Sequence, residues 1–338
     1  MIAPSSGGAA SARHILELGL QRLRETFDVH PVVHPTARQS DSFLHEHPRV
    51  RAAAIHEVFY DPDITGIVAT IGGEDQVRVL RHLDPQLLCE HPTRFYGMSD
   101  NTNLALFLWK HGIVSFYGGQ LLNQIATPGP LPAYTERYLR RALFDDALGD
   151  LEPADEWADL TIGWEHDAYA EADPGYEPAP GWTWSGRNDP VTGRLWGGCL
   201  AIIAWQLMTD HYLPAPTRLD GAVLVLETAE DLPPAKRVKW ALMCMGERGL
   251  LERFDAVLVG RPATQNWQES RSSEKRRDYR SAQRAAIREQ LQRYNPTAPV
   301  IFDLDFGHTN PTAPIPIGGR VHIDPAAEQI TFPALTNP

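Results

Sequence analysis

The chain has 338 residues, of which 43% are hydrophobic and 22% charged, enough for a sizeable core and long enough for two domains sharing an interface. Its net charge of -12 argues against a nucleic-acid polymer as partner, which would call for a basic face. Three widely spaced cysteines form neither a CxxC pair nor a disulfide framework, and no apolar run approaches the ~20 residues of a membrane span. With no basic, apolar leader visible at Met1–Gly8, the expected location is the cytoplasm.

In chain order, residues 14–27 carry apolar side chains at Ile15, Leu18, Leu20 and Leu23, a helical spacing. Residues 27–33 are short and β-rich. Residues 50–60 read as a helix, and 64–71 as a buried strand ending in Gly72-Gly73. A helix is expected over 75–83, a strand from Phe95, a helix over 102–110 and a strand over 113–117. Alternating strands and helices imply a Rossmann-like parallel sheet in an α/β N-terminal domain, residues 1–150. Ligands in such sheets sit at the carboxyl ends of the strands, where Gly72, Gly73 and Ser99 would lie.

From 151 to 190 the periodicity stops, and Trp157, Trp164, Trp182 and Trp184 stand among Pro, Gly and Asp. Aromatics this dense pack on something, so the segment reads as an ordered connection. The remainder, 191–338, is more β-rich: a buried helix over 195–208, strands over 221–226, 256–259 and 300–306, and a pair at 320–323 and 329–332. Helices are expected over 234–246 and along the basic stretch 271–293, where Tyr279, Ile287, Leu291 and Tyr294 recur at helical spacing on an otherwise solvated helix.

Gly97-Met98-Ser99 closes an apolar run just before a helix, the strand-to-helix turn that holds a nucleophile clear of a sheet. The second glycine usual in such turns is replaced by Asn101. Glu227 ends the apolar strand Ala222-Val223-Leu224-Val225-Leu226, and His308 follows another strand in Phe306-Gly307-His308-Thr309. Serine, carboxylate and imidazole at three strand ends are the inventory of nucleophile, orienting group and general base. Each also has a plain structural reading as turn serine, solvated glutamate or hydrogen-bonding histidine. The spaced G-x-G-x-x-G of a dinucleotide site is absent after Gly72-Gly73, and His34, His45, His47 and His56 lack a metal-ligand spacing, so no cofactor and no metal are expected.

Taken together, Thr70-Ile71-Gly72-Gly73-Glu74-Asp75, Tyr96-Gly97-Met98-Ser99-Asp100, Phe116-Tyr117-Gly118, Gly197-Gly198, Leu226-Glu227-Thr228 and Phe306-Gly307-His308-Thr309 resemble the LD-carboxypeptidase family of serine peptidases. The Gly-Gly-Glu-Asp and Phe-Gly-His-Thr forms are more similar to its microcin C immunity branch than to its murein tetrapeptidase branch. The similarity runs in order from Ala3-Pro4-Ser5-Ser6 to about Ile323. It implies a nucleophile on the Rossmann-like domain, a smaller β-rich domain carrying the other two groups, and a homodimer. By position it makes Ser99 the nucleophile, His308 the base and Glu227 its partner, with backbone N–H groups of Gly73 and Asp100 as the oxyanion hole and Gly72 beside the substrate. The substrate would be a peptide, either an L,D-linked muropeptide or a peptidyl-nucleotide whose base Trp182 or Trp184 could stack upon; the alternative is that these indoles pack the domain junction. Two departures stand out: the chain starts without the family's full first strand, and Cys199 replaces a common asparagine.

Overall fold

In the computed structural model, which describes residues 1–335, two large sheets divide the chain, and a small third one joins Thr309–Asn310, Glu156–Asp159 and Glu177–Pro178. The first has four strands in the order Gly66–Val68, Arg94–Gly97, Ser115–Tyr117 and Ile315–Ile317. The first three run parallel and the last is antiparallel, so a strand from near the C-terminus completes the N-terminal sheet. Successive side chains of a strand point to opposite faces. Phe95 and Tyr96 accordingly belong to separate apolar clusters, and the sheet is buried on both sides. Ile2 makes a parallel bridge to Ala69, taking a hydrogen bond from the Thr70 N–H at 2.8 Å. Residues 27–33, expected to be β-rich, form no strand. That segment instead packs against the start of the chain, with the Met1 ammonium donating to the Val32 carbonyl.

The second sheet has eight strands: Ala147–Leu151, Gln329–Ala334, Arg320–Asp324, Val191–Cys199, Ala222–Glu227, Phe254–Gly260, Val300–Leu304 and Thr183–Ser185. The four beginning at Val191, Ala222, Phe254 and Val300 are parallel to one another, and the flanking strands are antiparallel. The C-terminal part is therefore β-rich around a parallel centre. Helices Ala235–Glu247 and Ser273–Tyr294 pack against each other beside it. Ser273–Tyr294 buries Ile287 and Leu291 but leaves its basic residues mostly outward.

A second expectation is corrected as well. Residues 195–208 are not a single helix but the end of strand Val191–Cys199 followed by helix Leu200–Thr209. A strand covered on both faces of a parallel sheet reads as an unbroken apolar run, so periodicity cannot separate it from a buried helix. Helix Thr102–Lys110, by contrast, has the expected bounds. Thr102 to Trp109 are all buried, because this helix lies against both Ser115–Tyr117 and Val191–Cys199. Its N-terminus thereby brings the turn at Ser99 to the seam between the sheets. No helix among the described residues is long and apolar enough to cross a membrane.

Candidate active site

Ser99 follows strand Arg94–Gly97 on a short turn before helix Thr102–Lys110, and its φ of 60° is left-handed. A non-glycine residue there is uncommon and has to be held by its surroundings. Asn101, standing in place of the usual glycine, supplies one hold. Its amide nitrogen donates to the carbonyls of Ile71 and Met98, both at 3.1 Å, and its oxygen accepts from Gln76 at 2.8 Å. Asp100 supplies the other. Its fully buried carboxylate accepts from the Ser5 hydroxyl, from the N–H groups of Asp75 and Gln76 at 3.1 and 2.9 Å, and from Asn103 at 2.8 Å. Burial pushes the Asp100 carboxyl upward, and the Ser5 and Gln76 hydrogen bonds oppose it.

The loop that follows strand Gly66–Val68 meets this turn at Gly72. A β-carbon on Gly72 would lie 2.8 Å from Ser99 Cβ, 3.1 Å from its hydroxyl and 3.3 Å from the Asp100 nitrogen. Only glycine fits there without displacing the Ser99 turn. Gly73 is equally confined, since its β-carbon would fall 2.5 Å from the Ser5 hydroxyl.

From the second sheet, Glu227 is the last residue of strand Ala222–Glu227, and His308 follows strand Val300–Leu304 on the segment that crosses back to the first sheet. His308 Nδ1 lies 2.7 Å from Glu227 Oε2. Gly307, at φ 100°, allows the approach, for a β-carbon there would stand 2.6 Å from that same oxygen. The opposite ring nitrogen is engaged as well: His308 Nε2 lies 2.9 Å from Glu230 Oε2. Burial alone would lower the His308 pKa, but the Glu227 and Glu230 carboxylates outweigh it and hold the imidazole well above its ordinary value. Burial likewise pushes the Glu230 carboxyl up, and the His308 charge more than offsets this, bringing it down to about 2. No hydrogen bond joins the Ser99 hydroxyl to His308 in this arrangement, in which the imidazole is doubly engaged by carboxylates.

Tyr117 is the residue that sequence reasoning passed over. Its fully buried hydroxyl donates to Glu227 Oε1 at 2.6 Å and accepts the Ser99 N–H at 3.1 Å, joining the Ser99 turn to the Glu227 carboxylate across the seam. Burial, reinforced by the Glu227 charge, pushes the phenol well above its usual pKa. The motif Phe116-Tyr117-Gly118 signalled this position, although nothing local to it revealed the partners. Cys199 sits beside the same group, buried, its N–H donating to the Thr102 hydroxyl at 3.1 Å.

Ser99, His308, Gly72, Gly73 and Glu230 line one cavity of about 380 Å³, with Glu227 behind the imidazole. The indoles in its lining are Trp164 and Trp267; Trp182 and Trp184 are not in it. Trp182 donates to Asp305 Oδ2 at 3.0 Å, and Trp184 lies in the strand at the sheet's edge. Trp157 is buried with the guanidinium groups of Arg261, Arg276 and Arg280 around its ring. The connection is thus stitched into the second sheet, and strand Glu156–Asp159 pairs with Thr309–Asn310 immediately after His308. Among the described residues no group of three or more His, Cys, Asp or Glu is placed to hold a metal ion. His45, for example, is 2.9 Å from Asp75, whose carboxylate also pairs with Arg51 and Arg78.

A parallel-sheet layer thus presents Ser99 on a tight turn and faces a β-rich layer that presents the His308–Glu227 pair. The chain belongs to the LD-carboxypeptidase family: residues 1–118 match its N-terminal domain and 192–323 its C-terminal domain. It is 25% identical to the microcin C7 self-immunity protein MccF of Escherichia coli over 277 residues, 81% of this chain and 75% of that protein. An MccF-like protein of Streptococcus pneumoniae, whose crystal structure is a complex with AMP, superposes with a TM-score of 0.86 at 25% identity, covering 98% of this chain and 97% of the other. The MccF-like protein of Bacillus anthracis shares the fold, with a TM-score of 0.79 at 23% identity and coverage of 98% and 95%.

Proposed function

We propose that this peptidase cleaves a C-terminal amide bond through Ser99, His308 and Glu227. Ser99 Oγ attacks the scissile carbonyl carbon while its proton passes to His308 Nε2. The oxyanion is received by the N–H groups of Gly73 and Asp100. His308 then returns the proton to the departing nitrogen, and water, deprotonated by the same imidazole, releases the acyl group. Glu227, on Nδ1, fixes the tautomer and stabilises the imidazolium. The observation that carries the reading is the Glu227–His308 contact of 2.7 Å in the cavity that also holds Ser99 on its left-handed turn.

The substrate is a peptidyl-nucleotide or an L,D-linked muropeptide. The nucleotide class has the support of the AMP-bound S. pneumoniae relative, to which this chain is similar over nearly its full length. In such a substrate the base would stack on Trp164 or Trp267, the indoles in the cavity lining, rather than on Trp182 or Trp184. The reading includes a homodimer, which the family resemblance implies and light scattering tests, and a cytoplasmic location.

A ligand-binding relative without turnover is the competing reading, and the observation in its favour is Glu230 occupying the Nε2 side of His308. Covalent labelling by an active-site serine reagent separates the two. Wild-type protein should gain one adduct on Ser99, and Ser99→Ala should gain none while losing several orders of magnitude in kcat. Turnover retained above about a tenth in Ser99→Ala removes the nucleophile assignment.

A further inference from the structure

The charge of the cavity lining is one-sided. Glu74, Glu165 and Glu230 line it, His308 is the single lining residue that can carry positive charge, and neither lysine nor arginine takes part. Glu74 and Glu165 are exposed, whereas Glu230 is placed deeper, its side chain 32% exposed and its carboxylate 2.9 Å from the catalytic-side nitrogen of His308. Nε2 is the atom that must take the Ser99 proton, so the Glu230 carboxylate stands within a few ångströms of where the scissile carbonyl would lie. An anionic group beside that carbonyl would face Glu230, and the one lining group able to offset it, His308, is already engaged by two carboxylates. A cationic group would find a carboxylate already in place.

We propose that Glu230 is the specificity-determining residue of the cavity: its carboxylate moves from His308 Nε2 to an ammonium or guanidinium on the residue that supplies the scissile carbonyl, so that basic acyl residues are taken and acidic ones rejected. The exchange does two things at once. The substrate's charge is paired in a partly desolvated site, where a charge–charge contact counts for more than in water; with Glu230 gone the imidazolium loses one of the two carboxylates that hold it charged, its Nε2 proton passes to water, and the neutral Nε2 can accept the serine proton. The indole faces of Trp164 and Trp267 in the same lining suit a cation as well. This inference rests on the hydrolase reading above and adds the chemical class of its substrate.

The test uses three aminoacyl-sulfamoyl-adenosines of similar side-chain length, lysyl, norleucyl and glutamyl, and in parallel a muropeptide set with the same three residues before the scissile bond. Wild-type protein should show kcat/KM in the order lysyl, norleucyl, glutamyl, with at least about a tenfold gap between the extremes. The gap should lie mainly in KM and shrink with rising salt. Glu230→Gln should bring the three substrates to within about threefold of one another, whereas Glu74→Gln and Glu165→Gln, at the exposed rim, should narrow the gap less. A flat or inverted order in wild-type protein, with hydrolysis intact, overturns the assignment of Glu230 and leaves the hydrolase reading standing. Absence of turnover on both sets, together with no labelling of Ser99, removes the hydrolase reading and this inference with it.

Discussion

Replacing Tyr117 by Phe removes one oxygen atom and two hydrogen bonds across the seam between the sheets. The oxygen donates to the Glu227 carboxylate at 2.6 Å and accepts the Ser99 N–H at 3.1 Å, and the ring around it is fully buried. Phenylalanine fills the same space, so no cavity term enters. A hydrogen bond to a charged group contributes about 1.5–3 kcal/mol, and an N–H left without a partner costs about 1 kcal/mol or more. The expected loss is therefore roughly 2–4 kcal/mol, or a fall of about 3–6 °C in Tm for a chain of this size. The same hydroxyl holds the backbone of Ser99 and one oxygen of Glu227 in register. If half of the lost energy is felt at the transition state, kcat falls about fivefold to thirtyfold. Scanning calorimetry and steady-state kinetics on the amide substrate are the assays. A Tyr117→Phe protein within about 1 °C of wild-type Tm and within twofold of its kcat would refute the idea that this hydroxyl couples the two halves of the site.

Other consequences follow from the same geometry. Gly72→Ala places a methyl 2.8 Å from Ser99 Cβ and 3.3 Å from the Asp100 nitrogen, so the Ser99 turn must shift, and turnover should drop by about a hundredfold or more along with a lowered Tm; equal turnover would mean that the carbonyl does not approach from this side. His308 must be neutral to act as a base, and the carboxylates of Glu227 and Glu230 hold it protonated above its ordinary range, with Asp231 adding a further nearby negative charge. The acidic limb of kcat/KM should therefore lie above the pKa of a free histidine, and Glu230→Gln should move it to lower pH; an unmoved limb would show that Glu230 leaves Nε2 before the proton is lost. The raised His308 pKa stabilises the fold below the ordinary histidine pKa, and this contribution fades as pH rises through the raised value, which a comparison of Tm against pH for wild type and His308→Ala checks. Asp305 pairs with Arg261 at 2.8 Å with both side chains buried, and Asp305→Ala should cost about 3–5 kcal/mol by leaving the guanidinium uncompensated; chemical denaturation reads the loss directly.

The sequence alone determined the local elements and the inventory of the site. Helices Arg13–Phe27 and Thr102–Lys110 and strand Ala222–Glu227 are legible because a 3.6-residue period or an apolar run with sharp ends is written into neighbouring residues. Ser99, Glu227 and His308 stand at strand ends for the same reason. Tertiary structure decided what those groups touch. The hydroxyl of Tyr117 meets Ser99 and Glu227 only because helix Thr102–Lys110 carries the first sheet against the second, and Glu230 reaches His308 across 78 residues of chain. The return of Ile315–Ile317 to the N-terminal sheet and the place of Ala147–Leu151 beside Gln329–Ala334 depend on pairings between distant segments, which no local period encodes. The Trp-rich connection shows the division most plainly. Its density of indoles announced packing, but which of them would line the cavity was settled by the ion pairs and strand pairings that fold the segment over the second sheet, leaving Trp164 at the site while Trp182 binds Asp305 and Trp184 joins the sheet.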